Sequence, residues 1–251
     1  MEFVELTKEN LEKEHVCCAL SDKPCQNAKK SWLAERIGEG YTFLKYAGSG
    51  KTFIEYGPAE YAWSPVAAPG YVFIDCFWVS GKFAGQGIGK ALLSRATEAA
   101  KAEGKAGLCA VCGDTKKPFL SDPAFYKKQG FLVADTAPPY YELLYLPLEQ
   151  GGKAPVPRFG DSVKSGKTDK PGIVVYYTDH CPWNAKYIPK LAEVAQTKNA
   201  PFEAVKIEST KQAQSAPNPF TAYAVYSNGE FVTNEMFSEK KFEKFLREQG
   251  Y

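Results

Sequence analysis

The chain has 251 residues, and at about 150 residues per domain this length favours two domains over one small module. Hydrophobic residues make up 44% of the sequence and charged residues 24%, which excludes a disordered or fibrous chain. The formal net charge of +2 is too small for a protein that binds polyanions by charge alone. We therefore expect neither a nucleic acid nor a membrane as a partner.

The first residues contain neither the basic block nor the apolar block of a signal peptide. No apolar run approaches the roughly 18 residues of a membrane span. We therefore expect a cytoplasmic protein, in which the seven cysteines are reduced thiols rather than a disulfide framework.

From residue 71 onward, strand and helix signals alternate, which predicts an α/β fold. Tyr71–Val79 is dense in β-branched and aromatic side chains, as in a central strand covered on both faces. From Gly89 to Gly104, apolar residues recur at three- and four-residue spacing, which predicts a helix. Further elements are predicted in this order: a strand near 107–112, a helix around 122–129, and strands near 131–134 and 140–146.

Between residues 146 and 173 the chain is rich in Pro, Gly, Ser and Lys and loses its apolar periodicity, which predicts a linker. We accordingly predict a first domain at 1–148, a linker at 149–171 and a second domain at 172–251. In the second domain, strands at 173–177 and 202–207 flank a helix at 183–197, as in a βαβ unit. Strands at 220–226 and 230–233, joined by an Asn-Gly turn, and a helix at 239–249 complete it.

A glycine-rich loop, Gly85-Gln86-Gly87-Ile88-Gly89, lies between the predicted strand and helix. Backbone N–H groups at such a helix start can converge on an anion, so the loop is suited to a phosphate. Spacing alone fits a tight turn without a ligand equally well. The loop lacks the Gly-Lys-Ser/Thr ending of a Walker loop, and its glycines are too closely spaced for a dinucleotide fingerprint.

Three sequence segments follow one another in the chain: Phe77-Trp78-Val79, then residues 85–93 (GQGIGKALL), then residues 125–131 (FYKKQGF). Together they resemble the GCN5-related N-acetyltransferase (GNAT) superfamily, whose signature is a strand, a pyrophosphate loop opening a helix, and a later Tyr-x-x-x-Gly-Phe. Ala84 stands where Arg or Gln is usual, which leaves the backbone cradle intact. The resemblance covers roughly residues 2–147. It implies the GNAT acyl-CoA N-acyltransferase fold, with acetyl-CoA as co-substrate.

The resemblance also implies roles for individual residues. The backbone of Phe77 and Val79 would bind the pantetheine arm in a gap between two splayed parallel strands. Tyr126, four residues before Gly130, would be the general acid for the departing CoA sulfur, and a buried structural tyrosine is the alternative. The residues that would hold the pyrophosphate are Gly85, Gln86, Gly87, Ile88, Gly89 and Lys90.

Asp75 interrupts the apolar strand and, by alternation, shares a face with Phe73, Phe77 and Val79. A carboxylate inside such a strand is expected to have a raised pKa, which suits a general base, although a structural hydrogen-bonding role fits nearly as well. Further candidate bases are Glu55, Glu60, Asp114 and His15. The acceptor pocket is expected from residues outside the motifs, namely Trp32, Tyr41, Tyr56, Glu60, Trp63 and Tyr140.

The cysteines allow a metal interpretation, with Cys109 and Cys112 as one pair and His15, Cys17, Cys18 and Cys25 as further ligands. Strand geometry argues against it, because positions three apart on a strand face opposite sides. We therefore predict no metal site and small buried thiols.

Cys181 follows a predicted strand and begins a helix, a position that lowers a thiol pKa. The second domain resembles a YoaP-like, thioredoxin-fold domain. Asn184 occupies the position of the resolving thiol, which excludes dithiol exchange within the motif. Asn218-Pro219-Phe220 resembles the cis-proline turn of that fold. Cys181 is accordingly the predicted reactive thiol, with an unremarkable structural cysteine as the alternative.

Taken together, these features predict an enzyme that transfers acetyl directly from acetyl-CoA to a small amine, an amino acid or a short peptide. Two alternatives remain. The chain could be an acyl-CoA-binding or thiol-sensing module without transferase chemistry, or a monothiol oxidoreductase with an accessory CoA site.

Overall fold

The computed structural model describes residues 1–16, 19, 21–48, 50–148 and 154–251. Its strands are β1 (Phe3–Glu5), β2 (Thr42–Tyr46), β3 (Thr52–Pro58), β4 (Val66–Ala67), β5 (Tyr71–Val79), β6 (Gly107–Gly113), β7 (Leu132–Ala137), β8 (Tyr141–Pro147), β9 (Arg158–Phe159), β10 (Ile173–Tyr177), β11 (Phe202–Lys206), β12 (Tyr223–Ser227) and β13 (Glu230–Thr233). Its α-helices are α1 (Lys23–Ile37), α2 (Ile88–Ala102), α3 (Pro123–Lys128), α4 (Asn184–Thr197), α5 (Thr210–Gln214) and α6 (Glu239–Glu248). No helix in the described ranges is long and apolar enough to cross a membrane.

We call the chain up to residue 148 the first half and the chain from residue 172 onward the second half. The first half contains a seven-stranded sheet, in the order β1-β2-β3-β5-β6-β8-β7. Strands β5 and β6 are parallel, and the other neighbouring pairs are antiparallel. Helix α2 packs on one face, where its Leu92 is buried with Ile54 and Leu108. Helix α1 packs on the other face, where its Leu33 is buried with Phe43. The predicted α/β layout is confirmed from residue 71 onward, whereas α1 and the first three strands were not predicted.

One extra residue interrupts the pairing of β3 with β5. Glu55 lies opposite Cys76 and Tyr56 lies opposite Ile74, so Asp75 has no residue opposite it in the register. Such a β-bulge bends its strand and increases the local twist. The central strand therefore changes direction at Asp75.

The bulge also reverses which side chains face helix α2. Ile74, before the bulge, lies in the cluster under α2, and so does Phe77, after it. Phe73 lies in a separate cluster. The expectation that Asp75 shares one face with both Phe73 and Phe77 is therefore wrong, because strict alternation fails where one strand has an extra residue.

Strands β5 and β6 separate shortly after they begin. Their pairing ends at Ile74 and Ala110. Beyond that point β5 pairs only with β3, as far as Val79, and β6 only with β8, as far as Gly113. The facing edges of the two strands therefore leave backbone groups available to a ligand in the gap between them.

The described part of the segment predicted as a linker, residues 154–171, packs against the first half. Strand β9 pairs with β4, and the side chains of Phe159 and Val163 are buried in a core cluster of that half. Lys167 then forms a bridge to Glu230 in the second half. Residues 149–153 lie outside the described residues, and the domain boundaries at 148 and 172 stay a prediction.

The second half has its own four-stranded sheet, in the order β11-β10-β12-β13. Strands β10 and β11 are parallel and joined by α4, which confirms the predicted βαβ unit. The turn from β12 to β13 has Asn228 and Gly229 at φ of 48° and 84°, as the Asn-Gly signal predicts. On one face, Ile173 and Val225 pack with Leu191 of α4 in a buried cluster.

The turn before β12 differs from its prediction. The peptide bond before Pro219 is trans, and the cis proline among the described residues is Pro139, after Pro138. Asn218 Oδ1 accepts a hydrogen bond of 2.9 Å from the backbone N–H of Phe220, so the side chain forms this turn without a cis bond.

Buried hydrogen bonds join the two halves. The Ser64 hydroxyl donates to the carbonyl of Pro219 at 2.8 Å, and the Tyr141 hydroxyl donates to Asn218 Oδ1 at 2.9 Å. Because a buried polar group that loses its partner costs about 1–3 kcal/mol, these contacts hold the halves in one arrangement.

Candidate functional site

The glycine loop has an open, uncapped helix start. Gly85 and Gly87 have φ of 75° and 78°, in the left-handed region that favours glycine. Helix α2 begins at Ile88 without a side-chain cap, and Gly85 to Gly87 are exposed. A Cβ on Gly89 would lie 3.1 Å from Val79 Cγ2, so the helix packs closely on the end of β5. Free N–H groups and the positive end of the helix dipole therefore face solvent together.

The loop adjoins the gap between β5 and β6. Phe77 and Val79 lie on the part of β5 that has no β6 partner. The Phe77 ring packs against Phe125, with ring centroids 5.2 Å apart, and Ser121 Oγ lies 3.5 Å from the Phe77 carbonyl. An extended chain laid in this gap would find unpaired strand backbone on its sides.

Tyr126, on α3, is fully buried behind Phe77, with ring centroids 6.1 Å apart. Its hydroxyl forms no hydrogen bond of regular geometry within the described residues, and the polar side chain beside it is that of Ser121, which lines the cavity described below. Burial raises the pKa of this phenol well above its ordinary value, against a smaller lowering by Ser121, so the hydroxyl is protonated at neutral pH. A buried donor without a regular partner is costly to the fold.

A group of ionisable side chains, Lys29, Tyr41, Glu55, Asp75 and His180, lies on the opposite face of the sheet from α2. Lys29 Nζ contacts Glu55 Oε2 at 2.6 Å, with both side chains buried. The Tyr41 hydroxyl lies 2.9 Å from Glu55 Oε2 and 3.2 Å from Asp75 Oδ2. His180 Nε2 lies 3.3 Å from Glu55 Oε2 and 3.8 Å from Asp75 Oδ2. We call this group the carboxylate cluster.

The two carboxylates of the cluster have opposite pKa shifts. Burial alone would raise the pKa of Glu55, but the charges of Lys29 and His180 lower it to about 2. Burial raises the pKa of Asp75, and the neighbouring Glu55 raises it further against the opposing effect of His180. Glu55 is therefore a fixed anion, whereas Asp75 is the carboxylate that can exchange a proton nearer neutral pH.

A cavity of about 390 Å³ extends from the carboxylate cluster toward the gap between β5 and β6. From the first half its walls include Glu55, Asp75, Phe77 and Ser121. From the second half they include His180, Cys181, Trp183, Phe220 and Met236. The cavity thus lies at the junction of the two halves.

The structure brings together three of the six expected acceptor residues. Trp63 lines the cavity, Trp32 packs against both Trp63 and His180, and Tyr41 belongs to the carboxylate cluster. The other three lie elsewhere. Tyr56 is buried under α2, Glu60 accepts a hydrogen bond from Gly70 N–H, and Tyr140 donates one to Asn234.

Two of the alternative bases also lie outside the cavity. Asp114 is exposed and accepts a hydrogen bond from the N–H of Thr115. His15 lies beside Glu14 and Lys45, and burial lowers its pKa. Of the candidates, only Asp75 and Glu55 line the cavity.

Sequence reasoning missed Lys29 and His180. Neither belongs to a local motif, and they lie 151 positions apart in the chain, on α1 and just before α4. The available signal for His180 was its place beside Cys181, which drew attention only to the thiol.

Among the described cysteines, Cys109 and Cys112 are buried in β6 and lie in different core clusters, as predicted for opposite faces of a strand. Burial raises the pKa of both thiols above the ordinary range. Cys181, by contrast, is partly exposed and lines the cavity. Asn184 is buried, and its amide donates to the carbonyls of Thr178 and Ala222. Cys17 and Cys18 lie outside the described residues.

The comparisons with known proteins agree with this architecture. The model of the Acetyltransferase (GNAT) family matches residues 5–131, and the YoaP-like family model matches residues 201–244. The chain belongs to the GNAT acetyltransferase family.

A second comparison extends the likeness over both halves of the chain. The chain is 40% identical over 247 residues to the N-acetyltransferase YoaP of Bacillus subtilis (strain 168), itself described as uncharacterized. The match covers 97% of this chain and 98% of that protein.

Solved structures are similar to part of the chain. The ribosomal-protein-S18-alanine N-acetyltransferase of Escherichia coli is 16% identical, with 61% of this chain and 96% of that chain covered and a TM-score of 0.41. The PaiA N-acetyltransferase of Thermoplasma acidophilum, solved with coenzyme A, is 19% identical, with 59% and 100% covered and a TM-score of 0.41.

We predict that iodoacetamide labels Cys181 before Cys25, Cys76, Cys109 and Cys112. Cys181 is partly exposed at the cavity wall, near the start of α4, whereas Cys25, Cys109 and Cys112 are buried and Cys76, also partly exposed, lies within strand β5. Limited alkylation followed by peptide mass mapping measures the order of labelling. The fast-labelled peptide should be absent from a Cys181→Ser control. Faster labelling of any of the other four thiols would contradict the prediction.

Proposed function

We propose that this chain transfers acetyl from acetyl-CoA to a small primary amine in the cavity at the junction of its halves. The observation that carries the proposal is the convergence of three features on the end of β5. These are an uncapped helix start behind a glycine loop, an open strand edge, and a cavity with a proton-accepting carboxylate. Direct transfer, with no acetyl group on Cys181, is the route we propose.

The CoA-binding part of the proposal is supported by the fit of the chain to an extended pantetheine arm joined to a pyrophosphate. Backbone N–H groups between Gly85 and Lys90 would hold the pyrophosphate against the positive end of α2. Backbone groups of Phe77 and Val79 would hydrogen-bond the pantetheine amides as a neighbouring strand would. Acetyl-CoA supplies an acetyl group already activated as a thioester.

The chemistry needs three proton movements, and the chain has a candidate for two of them. The acceptor ammonium must lose a proton before its nitrogen can attack the acetyl carbon. As the C–N bond forms and the C–S bond breaks, the nitrogen loses a second proton and the leaving thiolate gains one, so one proton is released overall. We assign the first acceptance to Asp75 and the donation to Tyr126.

The environments of these residues support the assignment. The raised pKa of Asp75 makes it a stronger base than an ordinary aspartate, and the fixed charge of Glu55 favours an ammonium beside it. The protonated hydroxyl of Tyr126 belongs to a ring that packs against Phe77, and Ser121, which lines the cavity, lies beside it. Glu55 itself, with a pKa of about 2, is too weakly basic to accept the proton.

For the second half, we infer a thioredoxin-like fold. Support comes from the connectivity β10-α4-β11, followed by the antiparallel pair β12-β13 and α6, with β10 and β12 central in the sheet. The position of Cys181 between β10 and α4 agrees with this fold. A thiol-sensing role has one specific observation in its favour, because Cys181 lines the same cavity as Phe77 and its modification would narrow that cavity.

We predict that Gly87→Glu weakens binding of CoA by at least 10-fold. The side chain would put a negative charge at the phosphate cradle, and φ of 78° strains any non-glycine residue there. Calorimetric titration with CoA measures the change. Gly104→Glu, at the other end of α2 with φ of 65° and open space around it, is the matched control for strain. Equal affinity in the two folded variants would disprove the cradle.

We predict that Tyr126→Phe lowers turnover by about 10²–10⁴-fold, the usual worth of general acid catalysis. Binding of acetyl-CoA should change little, because the ring and its packing against Phe77 remain. Release of free CoA in the presence of an amine measures turnover. Tyr145→Phe, on β8 and away from the cavity, is the matched control. Wild-type turnover in Tyr126→Phe would remove the residue from the mechanism.

We predict that the rate falls as the pH drops through the raised pKa of Asp75, because a protonated carboxyl cannot accept the proton of the ammonium. The groups that face Asp75 and set this pKa are Glu55, His180, Lys29 and Tyr41. Asp75→Asn should lower kcat and remove that limb of the profile of rate against pH. Asp114→Asn, at an exposed site outside the cavity, should keep it. An unchanged profile in Asp75→Asn would exclude this base.

A further inference from the structure

We propose that the acceptor pocket is built by both halves of the chain and selects a primary amine with an apolar body and no carboxylate group. The proposal rests on the acetyltransferase function proposed above and names its substrate class. It stands on the composition of the cavity walls and on the residues that close the cavity from the second half.

The second half closes the cavity rather than merely adjoining it. The loop between β10 and α4 places His180 against the carboxylate cluster, and His180 is only 8% exposed. The turn before β12 adds Phe220, and the segment after β13 adds Met236. These pieces are held in place by the buried hydrogen bonds from Ser64 to Pro219 and from Tyr141 to Asn218. An acceptor that enters the cavity therefore contacts both halves.

The ionisable side chains that line the cavity are mostly acidic. Glu55, Asp75 and Glu235 line it together with His180, and none of the described residues that line the cavity is a lysine or an arginine. Lys29 and Lys241 lie close by, but each is already paired, with Glu55 and Glu235 respectively. A ligand ammonium would be attracted by these carboxylates. A ligand carboxylate would be desolvated without a cation and repelled by the same groups.

The remaining walls are apolar. Aromatic side chains cover them from several directions: Phe53, Trp63, Phe73, Phe119, Trp183 and Phe220. Burial of apolar surface contributes about 25 cal/mol per Å² removed from water, so such walls favour an apolar body. The volume of about 390 Å³ is near the lower end of the range of small-molecule sites, about 300–1,000 Å³. An arylalkylamine fits this chemistry and size.

The first experiment compares three amines that share one aromatic body: phenethylamine, L-phenylalaninamide and L-phenylalanine. With saturating acetyl-CoA, we expect kcat/KM for CoA release to be at least 10-fold higher for phenethylamine and the amide than for phenylalanine. The amide carries a neutral group of similar size in place of the carboxylate of phenylalanine. It therefore separates the effect of the negative charge from the effect of the added bulk. Equal or better rates with phenylalanine would overturn the proposal, and so would a preference for spermidine or for a peptide amino terminus over phenethylamine.

A binding measurement separates this proposal from the function on which it rests. Calorimetry with phenethylamine and with phenylalanine, on the free protein and on the protein saturated with CoA, reports selection without turnover. If phenethylamine binds preferentially but no amine releases CoA, the pocket stands and the transferase proposal fails. If CoA is released with some amine but phenethylamine does not bind ahead of phenylalanine, the transferase stands and the pocket proposal fails.

A third test asks whether the second half forms the wall. Met236→Trp should reduce kcat/KM for phenethylamine at least 10-fold and that for ethylamine much less, because the added ring occupies space needed by the larger body. Val156→Trp adds the same bulk at an exposed position and is the control. Should Met236→Trp fail to fold, His180→Gln should raise the KM for phenethylamine while leaving the KM for acetyl-CoA unchanged. Equal effects on both amines, or no effect of either variant, would overturn the two-sided pocket.

Discussion

The single extra residue in β5 is the constraint on which the rest of the structure depends. A bulge at Asp75 bends the central strand, and just before it the pairing with β6 ends. The gap that follows leaves strand backbone unpaired between two otherwise fully bonded parts of the sheet. The same bulge turns Phe77 toward α2 and the glycine loop, while Asp75 lines the cavity. Without the bulge, we expect β5 and β6 to continue pairing through backbone hydrogen bonds and to leave no gap.

The buried charges are the second constraint. Two carboxylates in a cluster with little access to water would repel each other and cost several kcal/mol each if they were both ionised without partners. Lys29 supplies a compensating positive charge, His180 places a ring nitrogen beside both carboxylates, and Tyr41 bridges them through its hydroxyl. Because this compensation is unequal, Glu55 stays ionised and Asp75 is left with a raised pKa. The asymmetry separates a fixed anion from a carboxylate with a raised pKa.

One of those compensating groups comes from the second half of the chain, which makes that half part of the site. The strap formed by β9 and the following turn packs on the first sheet, with Phe159 and Val163 buried, and so limits how far the halves can separate. Loss of the contact between the halves would remove His180 from the cluster and open the cavity to water. The electrostatics of the first half therefore depend on the position of the second.

The sequence by itself determined the elements from Tyr71 onward except β9 and α5, and with them the βαβ unit, the Asn-Gly hairpin and the glycine loop. Each of these rests on local periodicity or on backbone conformations that only particular residues adopt. It also led to the GNAT resemblance, through motifs that are contiguous in the chain. Tertiary structure alone decided that the predicted linker is a packed strap and that Lys29 and His180 meet Glu55. Tertiary structure also decided that Asp75 lies at a β-bulge and that Tyr56 and Glu60 lie away from the cavity. Register and contacts between distant segments depend on how whole surfaces pack, and no local pattern encodes them.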